Sequence, residues 1–260
     1  MTTTNIITQG VLLTNQSENI TRLCQNGFIG FAECYKKHCL NPTIYSGVSI
    51  DDRISECLTA QEEYTHNRIF QRILRNAKLP SNKTLDEIAR DPSEGLSKET
   101  LKGLTGRKWI DHGINIAITG GCGVGKTTLA CAIGIQMASQ GLTVYYSKTS
   151  ALLDWLSSKQ SFSSRTFAFK KLKSYQLLIL DDFGTDRGFT SDELADFLQL
   201  AEDHYAKNII ICSQYRTDGF QDLFPSNAVA QSIIDRLLRP CNEIALNGES
   251  RRASIDNSLD

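Results

Sequence analysis

Ile118-Thr119-Gly120-Gly121-Cys122-Gly123-Val124-Gly125-Lys126-Thr127-Thr128 fits the pattern G-x-x-x-x-G-K-[ST], a phosphate-binding loop. Upstream, Asn115-Ile116-Ala117-Ile118-Thr119 is short, apolar and β-branched; downstream, residues 129–138 carry a helical apolar pattern. The motif therefore falls between a strand and a helix, the context its chemistry requires. Glycines at 120, 121, 123 and 125 open backbone conformations closed to other residues. Successive N–H groups from Gly120 to Thr128, those of Cys122, Val124 and Thr127 among them, can then converge on phosphate oxygens at a helix N-terminus. Lys126 is expected to reach the β- and γ-phosphates and the Thr127 hydroxyl to ligate Mg²⁺, so ATP with Mg²⁺ is the expected cofactor. A glycine-rich turn that happens to precede a helix is the structural alternative, and the flanking pattern argues against it. Cys122 adds a thiol to the loop, but nothing in the sequence lowers its pKa.

A second stretch completes the site. Gln176-Leu177-Leu178-Ile179-Leu180-Asp181-Asp182-Phe183-Gly184 is an apolar strand ending in two carboxylates. In a parallel sheet the carboxyl ends of strands line the ligand crevice, which brings both acids to the phosphate loop. Asp181 suits Mg²⁺ through its water shell, and Asp182 suits orienting or deprotonating the attacking water. Further apolar runs at 142–147, 208–214 and 243–246 alternate with amphipathic ones at 149–158, 194–205 and 228–238. Five strands alternating with helices predict an α/β, three-layer P-loop domain with a mainly parallel five-stranded sheet.

The rest of the chain bounds the function more loosely. It has 260 residues, 40% apolar and 22% charged, with a net charge of −1, which is the composition of an ordinary globular protein without a global electrostatic sign of nucleic-acid binding. There is no apolar run long enough to span a bilayer, and Met1-Thr2-Thr3-Thr4-Asn5 lacks the layout of a signal peptide. The expected location is the cytoplasm, with no membrane partner and with the eight cysteines as thiols. Cys24, Cys34, Cys39 and Cys57 contain no C-x-x-C pair, and buried small hydrophobes are the expected use of each.

Before the nucleotide domain, residues 17–39 recur in apolar character at threes and fours, with Gly27 and Gly30 permitting a bend or close packing. Residues 49–79 read as one long helix. On it Arg68, Arg72, Arg75 and Lys78 share one face, opposite Ile69, Phe70, Ile73, Leu74 and Ala77. A solvated face of a packed helix accounts for such a stripe; a track for a nucleic-acid backbone is the functional reading. Arg165, Lys170, Lys171 and Lys173 are further DNA-binding candidates interleaved with Phe162, Phe167 and Phe169, although phenylalanines at that spacing fit a core better. The expected organisation is a helical domain at 1–79 for DNA or partner binding, a linker at 80–104, an ATPase domain at 105–252 and a disordered tail at 253–260.

Several short stretches resemble one family jointly. Ile179-Leu180-Asp181-Asp182-Phe183-Gly184, Ile210-Ile211-Cys212-Ser213-Gln214-Tyr215, Ile234-Asp235-Arg236-Leu237 and Gly248-Glu249-Ser250-Arg251-Arg252 look, in that order, like the marks of the IstB family. Leu13-Thr14-Asn15-Gln16, Gly30-Phe31-Ala32-Glu33 and the run from Asn67 to Pro80 resemble its helical leader. The resemblance spans about residues 13 to 252 and implies an AAA+ ATPase encoded beside a transposase and related to the DnaC and DnaI helicase loaders. It implies Ser213 and Gln214 as a sensor of the γ-phosphate, Arg236 as an arginine finger offered to a neighbouring subunit and Arg252 as a second sensor; Arg251 fits the family spacing less well. It also implies a homo-oligomer, double-stranded DNA and a cognate transposase as partners, and slow ATP hydrolysis stimulated by assembly or DNA. A helicase loader is the nearest alternative, and a small-molecule P-loop kinase is the alternative of another class. Two departures stand out: Asp182 replaces a common Glu, and Gly219-Phe220 with Pro225-Ser226-Asn227 replace the family's usual Trp and Gly-Asp-Pro-Thr.

Overall fold

A computed structural model of the chain describes residues 12–90, 95–184, 189–203, 207–224, 227–238 and 240–251. Two compact units emerge, Met1–Gln71 and Arg72–Asp260. The first is helical: α1 (Thr14–Gln25), α2 (Ile29–Leu40), α3 (Pro42–Tyr45) and most of α4 (Ile50–Ala77). Both uses expected of its glycines occur. Gly27 takes φ 83° where α1 ends, and Gly30 lies so close to α4 that a Cβ there would run into the Ala60 carbonyl. Lys78 closes α4 with φ 58°, a left-handed turn ahead of Pro80.

The boundary lies earlier than expected, between residues 71 and 72, because the last turns of α4 bury Ile73 and Ala77. The linker expected at 80–104 is likewise not a connector. It carries α5 (Leu85–Arg90) and the start of α6 (Lys98–Thr105), both packed on the helix that follows the phosphate loop, with Leu85, Ile88, Leu96, Leu101 and Leu104 buried. Capping explains why these short helices hold. Ser97 accepts from the Thr100 N–H at 3.1 Å, while the Thr84 N–H donates to the Glu87 carboxyl at 2.6 Å and the Glu87 N–H to the Thr84 hydroxyl at 3.3 Å, the two sides of a capping box. Next, α7 (Lys108–Asp111) buries Trp109.

The second unit then alternates β1 (Asn115–Gly120), α8 (Lys126–Ser139), β2 (Val144–Lys148), α9 (Thr149–Ser157), α10 (Phe162–Lys173), β3 (Leu177–Phe183), α11 (Ser191–Asp203), β4 (Asn208–Ser213), a 3-10 turn (Thr217–Leu223), α12 (Asn227–Leu238) and β5 (Cys241–Leu246). The sheet order is β2-β3-β4-β1-β5, and every pairing is parallel. Parallel strands need covered faces. One face takes α8, where Gly134 lets the helix approach Ile179 of β3: a Cβ there would lie 2.9 Å from Ile179 Cδ1. The other takes Leu178, Leu180, Ile209 and Ile211 against α9 to α12, around Phe183, Phe189, Phe197, Phe220 and Phe224. Phe220, at one of the departures from the family pattern, packs tilted with its ring centre 5.0 Å from that of Phe183 and is fully buried. Among the described residues no helix is long and apolar enough to cross a membrane.

Candidate functional site

The phosphate loop joins β1 to α8, and its shape depends on three glycines. Gly120, Gly123 and Gly125 take φ 143°, 81° and 105°, which side-chain-bearing residues resist. A Cβ on Gly120 would strike the Leu246 carbonyl, and one on Gly123 the Ser250 side chain. The Arg251 N–H donates to the Gly123 carbonyl at 3.1 Å, so the stretch after β5 closes over the loop. Lys126 is 9% exposed, its ammonium donating to the Gly120 and Gly121 carbonyls at 2.9 and 2.7 Å. Its charge is therefore held inside the loop.

Opposite the loop, β3 is irregular between Leu180 and Phe183, and Asp182 takes φ 53°. A bulge at this point re-aims successive side chains, and Asp tolerates the left-handed region better than most residues. Asp181 is buried. Its Oδ2 accepts from the Thr127 hydroxyl and the Tyr146 phenol, each at 2.8 Å, and the Thr149 hydroxyl donates to its carbonyl at 2.9 Å. Asp181 Oδ1 is buried without a hydrogen-bond partner among the described residues, an acceptor left over for a cation or its water shell. The loop's donors and this oxygen fit a nucleotide phosphate with Mg²⁺. Asp182 pairs with Lys148 Nζ at 2.7 Å. Burial and the Asp181 carboxylate push the Tyr146 phenol far above its ordinary value, so Tyr146 remains a donor at every physiological pH.

A cavity of about 300 Å³ runs along this site, lined by Cys122, Gly123, Gly125, Lys126, Thr127, Thr128, Asp182 and Gln214. Lys83, Glu87, Ile88, Leu96, Leu129 and Arg251 complete its wall. Ile88 and Leu96 were outside every sequence expectation, since their segment reads as linker; the Thr84-Leu85-Asp86-Glu87 capping pattern was the available signal. Tyr146 and Lys148 were missed too. Strand ends facing an acidic strand end could have indicated them, given the register Lys148 to Asp181.

The remaining candidates separate by position. Ser213 is buried next to the site, its hydroxyl donating to the Phe183 carbonyl at 2.8 Å and accepting from the Tyr215 N–H at 3.1 Å. It anchors the end of β4, and Gln214 reaches the cavity. Arg236 is absent from the cavity wall; it donates to the Ser232 carbonyl at 2.9 Å and to Glu202 at 3.2 Å. Arg252 lies outside the described residues, whereas Arg251 lines the cavity. Arg68, Arg72, Arg75 and Lys78 are exposed. On α10, Arg165 pairs with the buried Asp196, Lys173 pairs with Asp203 at 2.8 Å, and Lys170 and Lys171 are exposed. The core placement expected of the phenylalanines holds in part for Phe169, which packs against the apolar core of the second unit. It fails for Phe162 and Phe167, 87% and 68% exposed, because Ala168 and Leu172 occupy the inward face of α10.

The chain is similar to insertion sequence ATP-binding proteins. An insertion sequence ATP-binding protein of Sinorhizobium fredii is 31% identical over 196 residues, 75% of this chain and 80% of that protein. The insertion sequence IS21 ATP-binding protein of Pseudomonas aeruginosa is 28% identical over 201 residues, 75% of each chain. Among solved structures, the DnaC helicase loader matches with a TM-score of 0.51 at 19% identity, covering 66% of this chain and 97% of that one; this likeness concerns the fold, an AAA+ P-loop fold. Residues 30–257 match the family described as IstB-like ATP binding protein, and with the phosphate loop, the carboxylate pair and the sheet order that joins them, the chain belongs to that family.

Proposed function

We propose that this protein is an ATP-dependent, DNA-binding helper of DNA transposition, which assembles on double-stranded DNA as a homo-oligomer and assists a cognate transposase in the cytoplasm. The observation that carries this reading is a phosphate loop facing paired carboxylates in a chain whose relatives are insertion sequence ATP-binding proteins. The amides from Gly120 to Thr128 and the Lys126 ammonium hold the phosphates, and Thr127 and Asp181 hold Mg²⁺. When bound, Mg²⁺ neutralises phosphate charge. Asp182 orients a water and accepts its proton at a carboxylate oxygen, with Lys148 holding that carboxylate in place. Gln214 reads the terminal phosphate from the end of β4, and Arg251 or Arg252 does so from the stretch after β5. Arg236 serves the site of a neighbouring subunit, leaving Glu202 on assembly. Hydrolysis by an isolated chain is then slow, since a trans arginine supplies about 10³–10⁵ in rate. The exposed cations of α4, with Lys170 and Lys171, supply the DNA-facing charge.

Sedimentation and DNA binding of the full chain with ATP, with ADP and without nucleotide test this reading. ATP alone should give both the oligomer and tight DNA binding, and Lys126→Ala should abolish both. Complete assembly without nucleotide overturns the reading. Capture of a replicative helicase in place of a transposase would make the chain a loader, and steady phosphoryl transfer to a small acceptor by Arg236→Ala would make it a kinase.

A further inference from the structure

The first unit has little apolar core. Among its described residues the buried apolar side chains are Ala32, Cys34, Cys39 and Cys57, far less than a unit of this size needs to hold helices together by burial alone. At its centre, Cys34 and His38, one turn apart on α2, meet Cys57 of α4. All three are buried, and their ligating atoms lie within 4.8 Å of one another. Cys34 Sγ is 3.5 Å from His38 Nε2, Glu56 Oε2 is 3.0 Å from the same nitrogen, and Cys57 Sγ is 3.8 Å from Nδ1.

We propose that Cys34, His38 and Cys57, with Glu56 as fourth ligand, form a structural Zn²⁺ site that staples α2 to α4. Two sulfurs, an imidazole nitrogen and a carboxylate are the donor set of a borderline-soft tetrahedral cation. With Zn–S near 2.3 Å and Zn–N near 2.0–2.1 Å, neighbouring corners of the tetrahedron are roughly 3.3–3.8 Å apart. The Cys34 to His38 separation already matches. Among Cys34, His38 and Cys57, a pair at the outer bound of 4.8 Å closes by about 1 Å, within the reach of a thiol rotation; Cys57 Sγ, beside Nδ1, turns toward Nε2, where Cys34 and Glu56 already lie. Binding releases the two thiol protons and leaves two thiolates and a carboxylate around a dication, one negative charge in excess. Lys37 Nζ lies 3.6 Å from Glu56 Oε1, and the Arg53 guanidinium lies over the Tyr45 ring, which itself packs 4.1 Å from the His38 ring. Both cations offset that excess. The sequence spacing hides the site, because the ligands come from two helices and lack the paired C-x-x-C of zinc ribbons.

The test uses the untagged full chain, purified without chelator, with metal content measured by mass spectrometry. About one Zn²⁺ per chain is expected. Cobalt(II) added to metal-stripped protein should give the visible and thiolate charge-transfer absorption of a tetrahedral site, and Zn²⁺ should displace it. Cys34→Ser and Cys57→Ser should lose the metal, and Glu56→Gln should weaken it by on the order of 10-fold or more, the least that loss of a group merely supporting a ligand costs; Cys24→Ser, at an exposed thiol, should retain it. If the serine variants fail to fold, the cobalt titration of the native chain still decides. Absence of both Zn²⁺ and the cobalt spectrum, or full Zn²⁺ retention by Cys34→Ser and Cys57→Ser, overturns the proposal and leaves the cluster as packed thiols.

Discussion

At the scale of single residues, the site combines strain-tolerant backbone with a carboxylate that is only partly satisfied. Gly123→Ala should abolish ATP binding, because it forces a side chain into a left-handed position and against Ser250; equilibrium binding of a fluorescent ATP analogue measures this. Tyr146→Phe removes one of two donors to the buried Asp181 Oδ2, and loss of one hydrogen bond, with Thr127 still donating to that oxygen, destabilises by about 0.5–1.5 kcal/mol. Chemical denaturation should show that loss, together with a higher Mg²⁺ requirement for nucleotide binding. Asp182→Asn keeps a residue type that accepts positive φ. It should therefore leave the fold and ATP affinity intact while lowering steady-state hydrolysis by on the order of 10²–10⁴. A variant hydrolysing at the native rate would remove Asp182 from the proton path.

At the scale of elements, α5 and α4 make separate claims. The Thr84 N–H and hydroxyl hold the Glu87 carboxyl below the usual range. A depressed folded pKa contributes stability that is complete above the unfolded value, about 4.3, and is lost as pH falls through the folded value. The difference in unfolding stability between the native chain and Glu87→Gln should accordingly narrow on acidification below that value. Burial would raise Glu243, but hydrogen bonds from Thr217 and Thr119 and the nearby Arg216 bring it below the usual range, so it acts in the same direction at the junction of β1, β5 and the 3-10 turn. For α4, replacing Arg72 and Arg75 with Ala should weaken DNA binding across sequences. It should also make the log-affinity against log-salt slope shallower by up to about 0.9 per lost phosphate contact. An unchanged slope would take α4 off the DNA path. On α10, exposed Phe162 and Phe167 beside Lys170 and Lys171 suit a stacking surface better than the core placement their spacing suggests.

At the scale of the whole molecule, one chain brings together its own phosphate loop and carboxylates but keeps Arg236 elsewhere, paired with Glu202. Arg236→Ala should leave ATP binding near native and reduce hydrolysis by the assembled protein by on the order of 10³ or more. Mixing it with Asp182→Asn should restore part of the activity, because a mixed interface joins a native Arg236 to a native Asp182. Failure of every mixture to recover activity would place the arginine's effect within its own chain.

The sequence by itself determined the strand-loop-helix around Lys126, the acidic end of β3 and the alternation that makes a parallel α/β sheet, because these depend on local pattern: glycine spacing, apolar period and charge at strand ends. It also placed the five strands and α4, α8, α9, α11 and α12 within a few residues, while α5, α7 and α10 carried no helix assignment. Only the tertiary structure decided what depends on distant pieces of chain meeting. Glu87, Ile88 and Leu96 became part of the nucleotide cavity wall because α5 and α6 pack on α8. The Tyr146 phenol reached Asp181 because β2 and β3 run in register, and Cys34, His38 and Cys57 converged because Gly30 lets α2 lie against α4. None of these contacts has a fixed spacing along the chain, so no local pattern records them.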